Sequence, residues 1–440
     1  MIKWLEKHFE FESRGAHWAD EVIAGFTTFV TMAYILFVNP NILGTTGMPK
    51  GAVLMATAIG AGISTLMMGL YAKLPFALAP GMGLNAYFAY SVCQGMGLPW
   101  QVALGAVFID GVIFFLLSVT PVRRWIVQAI PLSIKLAASV GIGLFIAFIG
   151  MINAGLVVKN DSTLVALGSV TKPETVLALV GLIIIVVLMA LKVKGNILLG
   201  ILITTFIGVF VKGSSGAPIT NFTGSLVALP NWGELSQTFG AMDVLGAIKW
   251  GFVSIIFTFT FVDMFDTLGT IAGLAAKLNI LKPDGSFDGA DRALVTDAVG
   301  TMVGAVAGTS TVTTYVESAA GIAEGGKTGA TSVVTGILFL LSLFLWPLAE
   351  VVPSAATAPA LIVVGFLMME PILKIDFSKI TEAVPAFITM IAMPFTYSIA
   401  NGLIFGILSY VIMKLFTGKA KEIHPVLGVL AVVFIVYLIH

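Results

Sequence analysis

The sequence predicts an all-α polytopic membrane protein, a 7+7 inverted repeat of about 14 transmembrane helices whose helices 3 and 10 are broken and preceded by short β-strands. Three observations carry this. Of 440 residues, 58% are hydrophobic and 10% charged, with a mean hydropathy of +1.03. A soluble domain carries about 25% charged residues. The apolar runs fall into two sets of seven around a polar loop, and the third run of each set is interrupted by glycine, proline or β-prone residues.

A spanning helix needs about 20 apolar residues. By that measure, spans 1 to 7 are expected at 22–42, 52–72, 76–94, 100–120, 130–152, 174–192 and 196–212. A polar loop from Lys212 to about Leu245 follows. Spans 8 to 14 are then expected at 248–275, 289–307, 309–325, 328–349, 355–373, 383–398 and 401–416, the last two split at Asn401-Gly402. The apolar segment Pro425 to Ile439 is short for a span and reads as a fifteenth helix, an interfacial helix or the true fourteenth. The first twenty residues are rich in charge and lack an apolar stretch, so no cleavable signal peptide is expected.

Lys and Arg should gather in alternate short loops on the cytoplasmic side. With the N-terminus cytoplasmic, eighteen of the twenty-three do so, and only Lys50, Lys159, Lys172, Lys212 and Lys249 fall outside. An odd number of spans per half inverts one half relative to the other. In span 1, Thr28-Phe29-Val30-Thr31-Met32 matches Thr260-Phe261-Val262-Asp263-Met264 of span 8 at an offset of 232, and the same offset lays Asn85 on Glu317. A duplicated architecture accounts for both.

The acids define the candidate site. Asp263 and Asp266 lie in the apolar run of span 8, where a carboxylate at membrane depth costs roughly 2.5 to 3.5 kcal/mol on insertion scales. They persist there by facing protein, water or a ligand. In span 3, Pro75 to Gly83 forbids a continuous helix and precedes a helical stretch from near Leu84; in span 10, Val303 to Gly308 reads as a glycine-interrupted β-prone segment before the N-cap types Thr309 to Thr314. Each reads as a strand feeding a half-length helix. Irregular backbone at membrane depth is tolerated where it is buried or lines a cavity, and paired broken helices point to a midplane substrate site.

Tyr315 and Glu317 are expected just inside the second half-helix. Asp266 lies within about 60° of the face of Asp263. Carboxylates, aromatic faces and free amides suit a flat neutral heterocycle with N–H donors, and an anion would be repelled. Asp263, Asp266 and Glu317 are the groups available to carry a proton, because His8, His17, His424 and His440 all lie toward the termini. Asp110 and Asp297 read first as hydrogen-bond partners of neighbouring helices, and Glu324 with Lys327 as a solvated pair. Cys93 is the only cysteine, which excludes an intrachain disulfide and a cysteine-rich metal site.

Four motifs in order, Val38-Asn39-Pro40-Asn41-Ile42-Leu43, Ala79-Pro80-Gly81-Met82-Gly83-Leu84-Asn85-Ala86-Tyr87-Phe88, Phe261-Val262-Asp263-Met264-Phe265-Asp266-Thr267 and Gly308-Thr309-Ser310-Thr311 through Tyr315-Val316-Glu317-Ser318-Ala319, resemble the AzgA-type purine permeases of the nucleobase/ascorbate transporter superfamily. The resemblance implies a core domain of spans 1–4 (1–125) and 8–11 (248–350), a gate domain of spans 5–7 (126–215) and 12–14 with the last apolar helix (351–440), and an inter-repeat loop at 216–247. It implies proton-coupled import of hypoxanthine, guanine or adenine at the cell membrane by elevator-like movement. Asp263, Glu317, Tyr315, Val316, Asn85, Ala86, Phe88 and Thr31 would contact the base. Relatives selective for uracil place a histidine where this chain has Thr267. Expected partners are a purine base, a proton and the lipid bilayer, with a homodimer as an assembly to test and no nucleic acid. No cofactor or metal is expected, and no nucleophile-base set supports an enzyme. The same fold could instead carry uracil, xanthine or an anion such as sulfate or bicarbonate; a channel is disfavoured by the paired half-helices.

Overall fold

The computed structural model describes residues 2–120, 129–222, 225–251, 255–282 and 287–439. Arg123, Arg124, the 125/126 domain boundary, His440 and part of the span 8 entry lie outside them. Two seven-span repeats of opposite orientation form the membrane protein, each with a third span that opens as a strand and continues as a half-helix.

Span 1 is helical over Trp18–Met32, breaks at Ala33 and Tyr34, and resumes as Ile35–Leu43. Span 2 runs Lys50–Met67 and closes in a wide turn, Met68–Ala72. Span 3 opens as strand β1, Leu78–Pro80, and becomes helical at Met82, slightly before the expected Leu84, continuing as a wide helix over Tyr87–Gly95. Spans 4 to 7 are Trp100–Ser118, Leu132–Asn153, Pro173–Ala190 and Asn196–Gly208. Between spans 5 and 6 lies an exposed hairpin, β2 (Val157–Asn160) paired with β3 (Leu164–Leu167). Its turn is set by Asn160, whose Oδ1 accepts from the amides of Ser162 and Thr163, as short polar side chains do in turns.

In the second repeat, span 8 is Phe257–Lys277 and span 9 is Ala290–Ala307. The expected β-prone stretch at 303–308 is therefore helical. Gly308, with φ +98°, ends that helix, its amide bonding back to Gly304 and Ala305; glycine adopts this left-handed conformation without a Cβ penalty. The strand, β4, comes later, at Val312–Thr314, and the half-helix of span 10 is Ser318–Ala323. Spans 11 to 14 are Gly329–Leu341, Ser354–Leu367, Ile380–Phe395 and Ile399–Phe416. The last two separate at Tyr397 and Ser398, three residues before the expected Asn401, because Ser398 caps the new helix by accepting from the Asn401 amide. Pro425–Ile439 is a 15-residue helix packed on span 14.

β1 and β4 pair antiparallel at the centre of the molecule, with Ala79 opposite Thr313. The ladder is extended symmetrically by Gly81 N–H to Thr311 O and Tyr315 N–H to Ala77 O, both 2.9 Å. Each strand is also held by a threonine of the preceding span: Thr65 donates to Leu78 O (3.1 Å) and Thr301 to Val312 O (3.2 Å). Two short strands thus satisfy each other where no water is available.

Packing falls into two groups of helices. Span 4 lies on span 9, span 11 on spans 1 and 2, and the span 10 half-helix on span 1; separately, span 5 lies on spans 12 and 13, span 13 on span 14, and span 6 on spans 7 and 12. The charged loops also sort by face. Arg14 donates to the carbonyls of Lys73 and Lys327 and pairs with Glu10, which also binds Lys73. Glu324 pairs with Lys194 at 2.7 Å, not with Lys327, whose ammonium donates to Gly15 O. Glu10 lies outside the spans; burial alone would raise its pKa, but the hydrogen bonds from Lys73 and Arg14 hold it below the usual carboxylate value.

Candidate functional site

The site forms where the two broken helices meet spans 1 and 8. Glu317 stands at the N-cap position of the span 10 half-helix rather than inside it, and Tyr315 sits between β4 and that helix. Tyr34, at the break in span 1, donates its hydroxyl to Glu317 Oε1 at 2.7 Å. The Asp266 carboxylate on span 8 lies within electrostatic reach of Glu317 and Tyr315. Val316 is 62% exposed, and Glu317, Asp266 and Thr31 are part-buried. Val316, Glu317 and Asp266 are thus the accessible part of the site.

Asp263, Tyr315, Asn85, Ala86 and Phe88 are buried. The Tyr315 hydroxyl donates to Pro80 O at 2.6 Å, joining span 10 to span 3. Asn85 directs its amide at the same carbonyl (3.4 Å), and its Oδ1 accepts from the Ser310 hydroxyl. Asn85 therefore ties the broken helices together. Ala86 and Phe88 are buried beneath it. The Thr31 hydroxyl is turned onto its own helix, donating to Thr27 O and Thr28 O.

In spans 1 and 8 the offset of 232 sets Thr31 against Asp263 and Tyr34 against Asp266.

Asp297 proves to be an anchor for β4. Its Oδ1 accepts from the Thr314 amide (2.7 Å) and hydroxyl (2.6 Å), and its Oδ2 from the Thr267 hydroxyl (2.7 Å). Thr267 is thereby committed to a neighbouring helix. Asp263 is fully buried; Thr301 donates to its Oδ2 at 3.3 Å, and its Oδ1 has no hydrogen-bond partner among the described residues. Asp110 of span 4 faces Asp263. Tyr34 and the facing of Asp110 on Asp263 were missed by sequence reasoning, although the offset that pairs Tyr34 with Asp266 was a signal for the former. Among the described residues no cluster of His, Cys, Asp and Glu is arranged to hold a metal ion.

An inverted repeat with paired strand-and-half-helix elements and acids at their junction defines a multi-pass membrane transporter. The comparisons agree. The transmembrane domain of a cyanobacterial bicarbonate transporter, BicA, superposes with a TM-score of 0.64 at 14% identity, over 89% of this chain and 98% of that one. Murine solute carrier 26 family member A9, an anion transporter in the inward-facing state, gives 0.64 at 12% identity over 91% and 69%. At these identities the likeness is one of fold.

Residues 19–405 match the model of the Permease family labelled Xan_ur_permease, and the chain belongs to that family. It is 51% identical to a protein of Methanocaldococcus jannaschii named as a permease (99% of this chain, 98% of that one). It is 44% identical to the guanine/hypoxanthine permease PbuG of Bacillus subtilis (99% of each chain) and 42% identical to the adenine permease AdeP of Escherichia coli (99% and 96%). The resemblance carried by the four motifs is borne out over the full length of the chain.

Proposed function

We propose that this permease imports purine nucleobases, hypoxanthine, guanine or adenine, by proton symport across the cell membrane, with its N-terminus cytoplasmic. The observation that carries the reading is the pair of part-buried acids, Asp266 and Glu317, set beside Tyr34 and Tyr315 at the junction of two broken helices. Carboxylates accept from the ring N–H groups of a base, while aromatic faces cover its plane. The names of the full-length relatives supply the substrate class. Glu317, Val316 and Asp266 form the wall that the base meets, Thr31 the rim, and Asp263, Tyr315, Asn85, Ala86 and Phe88 the floor. Glu317, Asp263 and Asp266 carry the coupled proton.

The two helix groups support a core domain (1–125 and 248–350) moving against a gate domain (126–215 and 351–440) in elevator-like alternating access. Because β1 and β4 share one ladder, both broken helices travel with the core. A sulfate or bicarbonate carrier on this fold is the second reading, favoured by the solved neighbours alone; the acids at the site oppose an anion.

Uptake of radiolabelled hypoxanthine by proteoliposomes, competed by a panel of purines, uracil and sulfate with and without a protonophore, tests the reading. Saturable uptake competed by purines and collapsed by the protonophore is expected, and its absence overturns the assignment. Asp263→Asn and Glu317→Gln should each abolish concentrative uptake in protein that still reaches the membrane. Unchanged affinity and pH dependence in both would remove these residues from the site.

A further inference from the structure

We propose that Asp110 of span 4 and Asp263 of span 8 hold one proton between them, forming a proton site behind the part-buried acids that meet the base. The inference rests on the proposed proton symport and assigns it a residue, Asp110, on a span that contributes nothing else to the site.

The argument is one of unmet hydrogen bonding. Asp110 and Asp263 are both 0% exposed. Neither Asp110 oxygen nor Oδ1 of Asp263 makes a well-formed hydrogen bond to a described residue, and what lies within reach of Asp110 is the Thr260 hydroxyl and the Asp263 carboxyl itself. An ionised carboxylate only accepts. Two ionised carboxylates facing each other at membrane depth therefore cannot satisfy one another and leave two charges uncompensated. No ion pair among the described residues includes either acid. Breaking or omitting the partner of a buried charge is strongly unfavourable.

One proton removes most of this deficit. It turns one carboxyl into an O–H donor to the free oxygen of the other and lowers the charge of the pair from two to one. The Thr260 hydroxyl, adjacent to Asp110, can donate to an Asp110 oxygen in either protonation state, so the proton is what the contact between the two acids themselves requires. Thr301 already serves the far side of Asp263.

The other groups facing the pair do not offer a substitute. Asp297 of span 9 acts on both acids as a further negative charge, and its oxygens are occupied by Thr314 and Thr267. Asp266, one turn along span 8, acts on both Asp263 and Glu317 and so connects the pair to Glu317. In a transport cycle the pair takes up one proton with the base and releases one to the cytoplasm, so the proton balance is one in and one out.

The test uses the full-length transporter in proteoliposomes, assayed for exchange of labelled base at equal concentrations on both sides and for accumulation driven by an imposed pH gradient. Asp110→Asn supplies a permanent amide donor to Asp263 and cannot release a proton. It is expected to keep exchange and to lose accumulation to the level the unaltered protein shows with a protonophore; Asp110→Glu should restore gradient dependence. Accumulation by Asp110→Asn at the unaltered level with an unchanged pH profile overturns the proposal, and so does loss of both activities in folded protein. If Asp110→Asn does not fold, infrared difference spectroscopy of the unaltered protein carrying isotope-labelled aspartate decides. A protonated aspartic acid carbonyl band at neutral pH is expected, and its absence overturns the site. Failure of the unaltered protein to transport any base would defeat the proposed function while leaving the infrared result to judge the pair.

Discussion

Spans 1 and 8 are repeat mates built on one motif, yet they solve the same position in opposite ways. Span 1 carries Thr31 and Tyr34; span 8 carries Asp263 and Asp266. The Thr31 hydroxyl satisfies itself on carbonyls three and four residues back in its own helix. A carboxylate cannot do this, because it has no proton to donate, so Asp263 must recruit Thr301 and face Asp110 across to span 4. Span 1 breaks at Ala33 and Tyr34, while span 8 runs unbroken over Phe257–Lys277. At this one position the neutral copy, Thr31, is self-sufficient, and the acidic copy, Asp263, depends on its neighbours. Duplication supplied one frame, and charge in one copy made the pair of spans a site.

The comparison can be broken most severely at the neighbours of the acidic half. Asp297→Ala strips the acceptor from the Thr314 amide and from two threonine hydroxyls, and each buried donor left unsatisfied costs about 1 to 3 kcal/mol. The expected outcome is a large fall in the thermal unfolding midpoint in detergent, with little monodisperse protein on size-exclusion chromatography.

Making the neutral half acidic is the next largest change. Thr31→Asp places a carboxylate where no donor waits, at a cost of up to about 3 kcal/mol on insertion scales; the same melting measurement should show it, and a melting point equal to that of the unaltered protein would refute the asymmetry. Tyr34→Phe removes only the donor to Glu317. A hydrogen bond to a charged group contributes about 1.5 to 3 kcal/mol, so a smaller fall in melting point is expected, together with a changed pH profile of uptake. Thr31→Val should be the mildest, below about 1 kcal/mol, since a hydroxyl bonded to its own helix leaves no partner stranded. If Thr31→Val proved as damaging as Tyr34→Phe, the self-sufficiency of span 1 would be wrong.

Much of this was legible in the chain. Hydropathy placed most of the spans within a few residues, with the start of span 8 nine residues early and the end of span 11 eight residues late, and proline and glycine marked the two broken helices. What escaped depends on geometry between helices. Asp110 and Asp263 are far apart in sequence, and nothing along either span states that the two faces meet. Asp297 looked like any buried acid until the strand it anchors was in place. Val303 to Ala307 is β-prone locally but is held helical as part of span 9, and the strand falls where threonines meet a fixed partner across the ladder. Glu324 and Lys327 are near in sequence, but Lys194 reaches Glu324 from a loop of the other repeat.

The β1–β4 ladder has a consequence for ancestry. A lone seven-span repeat would expose three strand residues, with their unpaired amides and carbonyls, at a depth where neither water nor lipid can bond them. Its natural complement is a second copy inserted upside down, whose own strand runs antiparallel. A half-length forebear of this fold could therefore have worked only as a dual-topology dimer, sealed by the same six residues that now join the two halves of one chain.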